Sequence, residues 1–105
     1  MSTITDVGAY SSGDWRVRAG SEDAFVDRWR EFLEWSRASA PGFVSARLVR
    51  DVDDARHFLS IGEWQTEEAT AAWRGMPEFA AKLGACRELC EQVQASAYTP
   101  VVRVA

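Results

Sequence analysis

The spacing of apolar residues changes several times along the chain, and each change predicts a new element. Residues 9–18 (AYSSGDWRVR) alternate, with Trp15 and Val17 on one face and arginines on the other, which is typical of a half-buried strand. From 22 to 39 the apolar residues recur every three or four positions. This spacing predicts an amphipathic helix whose apolar face carries Phe25, Trp29, Phe32 and Leu33.

The next segment has the pattern of a hairpin. Pro41 and Gly42 end the first helix, and strand-like alternation resumes in residues 43–50. A polar stretch at 51–55 (DVDDA) predicts a turn, after which residues 56–64 form a second strand. The two strands are therefore expected to pair.

Helical spacing then returns and continues far along the chain. It starts with Ala69, Ala72, Trp73 and Met76, and Pro77 interrupts or restarts it. From Pro77 to about Gln94 a second helical stripe contains Phe79, Leu83, Cys86, Cys90 and Val93. The remaining segment, residues 96–105 (SAYTPVVRVA), predicts a last strand, placed at a sheet edge because Pro100 lacks an N–H.

The order of elements, β-α-β-β-α-β, predicts an α+β fold of the ferredoxin-like kind. In that arrangement a four-stranded antiparallel sheet carries both helices on one face. The other face is bare in a monomer, and it would carry Val44, Ala46 and Leu48 or their alternating neighbours. A homodimer in which two sheets face each other would cover it. Residues 9–105 are expected to form one domain, preceded by a flexible leader in residues 1–8.

Composition narrows the class of function. The chain has 105 residues and a net charge of −4, which argues against nucleic-acid binding. No apolar run reaches the ~20 residues of a membrane span and no signal peptide is visible, so a cytoplasmic location is expected. A single histidine and a CxxxC pair offer no metal-ligand set, and the two cysteines are interpreted as core thiols.

Small residues beside a tryptophan raise the question of a cavity. In FLSIGEW (residues 58–64), Ser60 and Gly62 share a strand face with Trp64. A bulge, a close backbone approach or a pocket over the sheet would each explain the gap. Ser36 similarly interrupts the apolar face of the first helix. Its hydroxyl either bonds back to the carbonyl of Phe32 or helps to line a cavity.

Several of these segments together resemble the antibiotic biosynthesis monooxygenase domain. The similarity is carried by DWRVRAG, EWSRASAPGF, ARLVRD and FLSIGEWQTEEATAAWR, and it extends from about Gly13 to Val104. The PGF turn and the E-W-x-[ST]-E-E-A run are its most specific parts. The resemblance implies the dimeric α/β-barrel fold and an oxygenase that needs no metal or flavin. In such enzymes a planar polyketide-type substrate lies between sheet and helices, loses a proton and passes an electron to oxygen.

The same resemblance assigns the site. Trp64 and Trp35 match the family's pocket tryptophans, while Ser60 replaces an asparagine and Thr70 a tyrosine of the best-studied oxygenases. The predicted catalytic residues are Trp64 and Ser60, and the predicted substrate contacts are Trp35, Thr70, Gly62 and Ser36. The expected partners are a small aromatic substrate and molecular oxygen, with no metal and no cofactor.

Two other functions remain open on this fold. One is a non-catalytic small-ligand binding or accessory protein that has lost the asparagine amide, and the other is a polyketide cyclase. Haem degradation is disfavoured because residues 67–94 contain no histidine and His57 is expected beside the hairpin loop.

Overall fold

The computed structural model describes residues 6–105 and has the element order β-α-β-β-α-α-β. Its elements are β1 (Ala9–Val17), α1 (Glu22–Ser39), β2 (Phe43–Asp51), β3 (Asp54–Trp64), α2 (Glu67–Arg74), α3 (Pro77–Arg87) and β4 (Cys90–Tyr98). Residues 1–5 of the predicted leader lie outside the described residues. Gly8 already belongs to the sheet region, since its N–H donates to the carbonyl of Trp64 at 2.8 Å.

The strands form one antiparallel sheet in the order β2-β3-β1-β4. This confirms the predicted α+β, ferredoxin-like fold. Alternate residues of the two central strands, β1 and β3, are buried under the helices. Aromatic rings dominate this core: Phe25 of α1 lies 5.6 Å from Trp15 and 5.1 Å from Phe58, measured between ring centroids. The apolar face read from the sequence of α1 is thus the face that covers the sheet.

The C-terminal third differs from the prediction. The second helical stripe ends at Arg87 rather than near Gln94, and β4 begins at Cys90 instead of Ser96. Cys90 and Val93 are three residues apart, which fits a helix, and they share a face of β4 only because a register shift between Cys90 and Gln92 adds one residue to the strand. Strand pairing decides against the helix, because residues 10–17 of β1 pair with residues 90–98. β4 is an edge strand as predicted, but Pro100 follows the strand and does not cause this.

Pro77 resolves the ambiguity of the helical region by restarting it. α2 ends at Arg74, and α3 has Pro77 at its first position, where the missing N–H costs no hydrogen bond. The hairpin between β2 and β3 is also tighter than predicted, because the strands extend to Asp51 and from Asp54.

The two most diagnostic sequence motifs touch each other in space. Gly42 of the PGF turn has φ +87°, and a Cβ there would lie 2.6 Å from the Cβ of Ala69 in α2. The Gly42 carbonyl also accepts a hydrogen bond of 2.8 Å from the backbone N–H of Gln65. Phe43 then packs edge-on against Trp64 with ring centroids 5.5 Å apart. These contacts explain why a glycine is needed at the turn and an alanine in the helix.

The register decides which residues of β2 lie on the bare face of the sheet. Ala46 and Leu48 pair with Gly62 and Ser60, so they lie on the helix side. The neighbours Ser45, Arg47 and Val49 lie on the bare face. Val49 is 43% exposed, and Leu59, opposite it on β3, is 36% exposed. The bare face therefore mixes charged residues with exposed aliphatic ones.

A histidine bridge joins three elements at one end of this face. His57 is 2.9 Å from Asp14 through Nε2 and 2.9 Å from Asp51 through Nδ1. The hydrogen bond that the charged ring donates to Asp51, and after it the one to Asp14, raise the pKa of His57 above its usual 6.5. The bond from His57 in turn lowers the pKa of the Asp51 carboxyl.

This bridge makes stability pH-dependent in a defined direction. A histidine with a raised pKa stabilises the fold fully below about pH 6.5 and loses that contribution as the pH rises through the folded-state pKa. We expect the melting temperature of the wild type to fall more between about pH 6 and pH 8 than that of His57→Gln. Calorimetry at constant ionic strength measures this difference, and parallel melting curves for the two proteins would contradict it.

Candidate active site

A cavity of about 210 Å³ lies between the sheet and the helices. Its aromatic lining consists of Trp15, Trp29, Phe32, Phe43, Trp64, Trp73 and Phe79. The floor is formed by small residues of the two central strands: Ser11, Gly13, Ser60 and Gly62. Sites for drug-sized ligands usually enclose ~300–1,000 Å³, so this cavity suits a compact ligand. Flat aromatic walls further favour a planar one.

The floor is built from one short motif that occurs twice. SSGDW begins at Ser11 in β1 and SIGEW begins at Ser60 in β3, and both follow the pattern S-x-G-[DE]-W. Because the two strands are antiparallel, each serine lies opposite the glycine of the other motif: Ser11 pairs with Gly62 and Ser60 with Gly13. The two motifs are therefore related by a local two-fold axis through the sheet.

Each tryptophan bonds to the serine of the other strand. The indole N–H of Trp15 donates to the Ser60 hydroxyl oxygen at 3.0 Å, and that of Trp64 donates to the Ser11 oxygen at 3.0 Å. All four side chains are buried, with exposures between 1% and 8%. Ser60 and Trp64, which the sequence joined into one catalytic pair, thus have separate hydrogen-bond partners on β1.

The glycines make this arrangement possible. A Cβ on Gly62 would collide with the Ser11 hydroxyl and lie 3.1 Å from the Trp64 indole nitrogen. A Cβ on Gly13 would collide with the Trp15 indole and lie 2.8 Å from the Ser60 oxygen. The gap beside Trp64 therefore arises because its own indole crosses the glycine. The cavity lies on the helix side of these indoles and serines. Both a close approach of the indole and a pocket therefore explain the small residues beside Trp64.

Ser36 of α1 makes a third tryptophan–serine pair. Its hydroxyl donates to the Phe32 carbonyl at 2.8 Å and accepts from the indole N–H of Trp73 at 3.0 Å. The back-bonding alternative is therefore confirmed, although Ser36 also lines the cavity. Because its proton already bonds to the backbone, this hydroxyl contributes to the cavity wall and is not a free donor.

Two of the predicted contact residues do not line the cavity. Trp35 is half-buried beside it, 5.9 Å from the Phe32 ring and with the Lys82 ammonium 6.0 Å from its own ring. Thr70 is buried but donates its hydroxyl to the Thr66 carbonyl at 3.3 Å, and it lines a separate groove between α2 and β4. The family resemblance placed both in the site, but a matching position in the sequence does not fix which side of a helix faces the cavity.

Sequence reasoning overlooked most of the residues that line the cavity, and three of them matter most for its chemistry and walls. They are Ser11, Trp29 and Trp73. The repeated S-x-G-[DE]-W pattern was a visible signal for Ser11. The two tryptophans lay on helical faces that look like ordinary core, so no sequence signal separates them from packing residues.

Hydrogen-bond donors and cations make up the free polar groups of the lining. Arg74 contributes a cation, whereas Arg47 lies on the bare face by register, and no carboxylate or imidazole lines the cavity among residues 6–105. The indole N–H of Trp29 is buried and has no hydrogen-bond partner in this part of the chain. Such a surface complements a ligand that presents acceptor oxygens or negative charge. It offers no general base.

The two cysteines are poor nucleophiles, and the described residues provide no cluster of metal ligands. Burial raises the pKa of Cys86 to about 12 and that of Cys90 to about 11, so both thiols stay protonated. Across residues 6–105, no group of three or more His, Cys, Asp or Glu side chains could hold a metal ion. In the same described range, no helix is long and apolar enough to cross a membrane.

Solved structures with the same fold come from diverse organisms. SnoaB, a cofactor-independent oxygenase from Streptomyces nogalater, superposes with a TM-score of 0.84 at 20% identity, covering 94% of this chain and 98% of that one. PA3566 from Pseudomonas aeruginosa gives 0.75 at 17% identity, covering 94% and 99%. A conserved protein from Methanosarcina mazei Go1 gives 0.78 at 11% identity, covering 89% and 92%. At these identities the similarity establishes the fold alone.

Comparison by sequence gives a more specific result. No curated protein sequence matches the chain significantly. A family model described as antibiotic biosynthesis monooxygenase matches residues 12–82, which is well over half of the chain and includes the second S-x-G-[DE]-W motif and all but the first residue of the other. The chain therefore belongs to the antibiotic biosynthesis monooxygenase family.

Proposed function

We propose that the protein is a cofactor-independent monooxygenase that oxidises a compact aromatic or polyphenolic metabolite of the polyketide type. The observation that carries the proposal is the cavity, which combines flat aromatic walls with free hydrogen-bond donors. Family membership supports the same reaction class. Molecular oxygen is the second substrate.

The reaction consumes one oxygen molecule for each ketone formed. An activated CH₂ group loses a proton to solvent, and the resulting carbanion passes one electron to oxygen. Superoxide and the carbon radical then combine into a C–O bond. Cleavage of the O–O bond and loss of the second C–H proton yield a carbonyl and water, so that RCH₂R′ + O₂ gives RCOR′ + H₂O.

The chain's own groups would act on the anionic stage of this sequence. Ser60 would donate an O–H hydrogen bond to the substrate oxygen on which negative charge develops, and the Arg74 cation at the lining would add to this stabilisation. Trp64 would hold the ring, Gly62 would leave room for that indole, and Ser36 would form part of the wall. Excluding water from an aromatic cavity strengthens each of these interactions. Trp35 and Thr70 are left out of the proposed site because neither lines the cavity.

A binding or accessory protein is the second candidate. The absence of a carboxylate or imidazole among the described lining residues favours it, because ligand binding needs no proton acceptor. The same absence counts against a polyketide cyclase, whose carbon–carbon bond formation is normally assisted by a base. Oxygen consumption separates the two remaining candidates.

We also propose that the active form is a homodimer with the two sheets face to face. The support is the bare sheet face, where the aliphatic side chains of Val49 and Leu59 are exposed beside the half-buried Ile61. Sedimentation equilibrium measures the mass, and a value near the 11.7 kDa of one chain would contradict the dimer.

The proposed function is tested by oxygen uptake, with no metal or flavin added, on a panel of anthrones and polyphenols. We expect uptake with ketone or quinone formation, reduced ~10- to 100-fold in Trp64→Phe because ring position is lost. Trp35→Phe is the matched control and should keep wild-type uptake, since this indole lies outside the cavity. Ligand-induced quenching of tryptophan fluorescence without any uptake would favour the binding protein instead.

A further inference from the structure

We propose that Ser11 is a second substrate-binding donor and that it forms a two-point clamp with Ser60. The clamp would select planar ligands that carry two acceptor oxygens on opposite edges of one ring. This inference rests on the proposed function, because it names the substrate class of the same cavity. It is carried by the two-fold arrangement of the S-x-G-[DE]-W motifs on the cavity floor.

The hydroxyl protons of both serines are available. A serine hydroxyl has one proton to donate and two lone pairs to accept with. Each oxygen accepts one indole N–H, from Trp64 for Ser11 and from Trp15 for Ser60. The Ser60 proton has only a 3.5 Å contact with the Gly13 carbonyl, at the long limit for a hydrogen bond. For the Ser11 proton, no acceptor lies within hydrogen-bond distance in residues 6–105.

The indole contacts also prepare the serines as donors. Accepting an N–H polarises a hydroxyl, so its own proton becomes a better donor. The indole occupies one lone pair and leaves the O–H free to turn toward the cavity. Both serines are at least 92% buried, and a buried donor left without a partner destabilises the protein. A ligand oxygen at each position would remove that cost.

The geometry indicates two acceptors rather than one. Ser11 and Ser60 occupy diagonal positions on neighbouring antiparallel strands. Such positions lie roughly 7 Å apart, and a single oxygen could not reach both within hydrogen bonds of ~2.8 Å. Two oxygens on opposite edges of a single aromatic ring fit this spacing. The aromatic walls fix the ring plane, and the buried N–H of Trp29 adds a third donor on the helix side.

The experiment compares 1,4-dihydroxynaphthalene, which has two such oxygens, with 1-naphthol, which has one. Dissociation constants are measured under nitrogen by tryptophan fluorescence for the wild type, Ser11→Ala, Ser60→Ala and the exposed-site control Ser39→Ala. Each cavity substitution is expected to weaken binding of the diol ~2- to 10-fold, the worth of one neutral hydrogen bond. Binding of 1-naphthol should be weakened by only one of the two substitutions.

Ser11→Ala also removes the acceptor of the Trp64 indole, so it could weaken binding through structural damage alone. Making the same substitution in a Trp64→Phe variant separates this damage from the loss of a ligand contact. In Trp64→Phe that indole is absent, so Ser11→Ala should still weaken diol binding there. Diol affinity that matches Ser39→Ala in either background would overturn the clamp, and so would a wild type that binds neither compound. Oxygen uptake without serine-dependent binding would overturn the clamp and leave the proposed function standing. Serine-dependent binding without oxygen uptake would overturn the proposed function and leave the clamp standing.

Discussion

Replacing Gly13 by alanine is expected to destabilise the protein by about 2–6 kcal/mol. The new methyl group would collide with the Trp15 indole and lie 2.8 Å from the Ser60 oxygen. Trp15 is 1% exposed and packs 4.8 Å from the Trp29 ring and 5.6 Å from that of Phe25, so it cannot move aside. Overpacking of this kind costs ~1–3 kcal/mol, and an indole N–H forced off its acceptor costs ~1–3 kcal/mol more.

Gly84→Ala is the matched control for this substitution. Gly84 lies inside α3, and a Cβ there would meet nothing within 4 Å. Alanine is a better helix former than glycine, so we expect a gain of ~0.5–1 kcal/mol at this position. Urea unfolding measures both changes. If Gly13→Ala lost less than ~1 kcal/mol, the tight crossing of indole and glycine would be the wrong description of the floor.

Trp73→Ala is expected to cost about 3–5 kcal/mol, a large part of the ~5–15 kcal/mol that stabilises a typical domain. This indole joins three elements. Its ring centroid lies 4.6 Å from that of Trp64 in the sheet and 4.8 Å from that of Phe79 in α3, and its N–H bonds to Ser36 of α1. Truncation would leave a hole and an unpaired acceptor at the junction, so unfolding should remain cooperative but begin at lower urea concentration.

Trp35→Ala provides the comparison for Trp73→Ala. Trp35 is half-buried, and its ring lies 5.9 Å from that of Phe32 and 6.0 Å from the Lys82 ammonium. Because less of its surface leaves water on folding, its truncation should cost no more than about 1–2 kcal/mol. Equal losses for the two variants would mean that the junction at Trp73 contributes no more than an ordinary surface contact.

The elements that the sequence predicted well are those whose apolar spacing is unambiguous. In α1, Phe25, Trp29 and Phe32 recur with a period that fits only a helix, and all three are buried. The strand period around Trp15 is equally clear. The segment after Arg87 was predicted wrongly because Cys90 and Val93 follow the helical period, and only a register shift beside Cys90 brings them to one face of β4. There the open edge of β1 selected the strand, and that edge exists only once the sheet has formed.

The candidate site was predictable in its composition and only partly in its geometry. The sequence drew attention to the small residues beside Trp64 and to Ser36 on an apolar face. It could not pair Trp64 with Ser11, because a shift of one residue between β1 and β3 would move one motif to the other face. The role of Gly62 was likewise not predictable, because it depends on the direction in which the Trp64 indole turns.

Local patterns by themselves therefore determined the class of fold, the family and the residue types available to the site. These follow from period, composition and short motifs, which are properties of neighbours along the chain. Only the tertiary structure decided that Ser11 and Ser60 lie diagonally on one floor, that Trp73 and not Trp35 closes the wall, and that β4 begins at Cys90. Each of these depends on register and side-chain direction between distant segments, and such contacts gain their energy only when both segments are already in place.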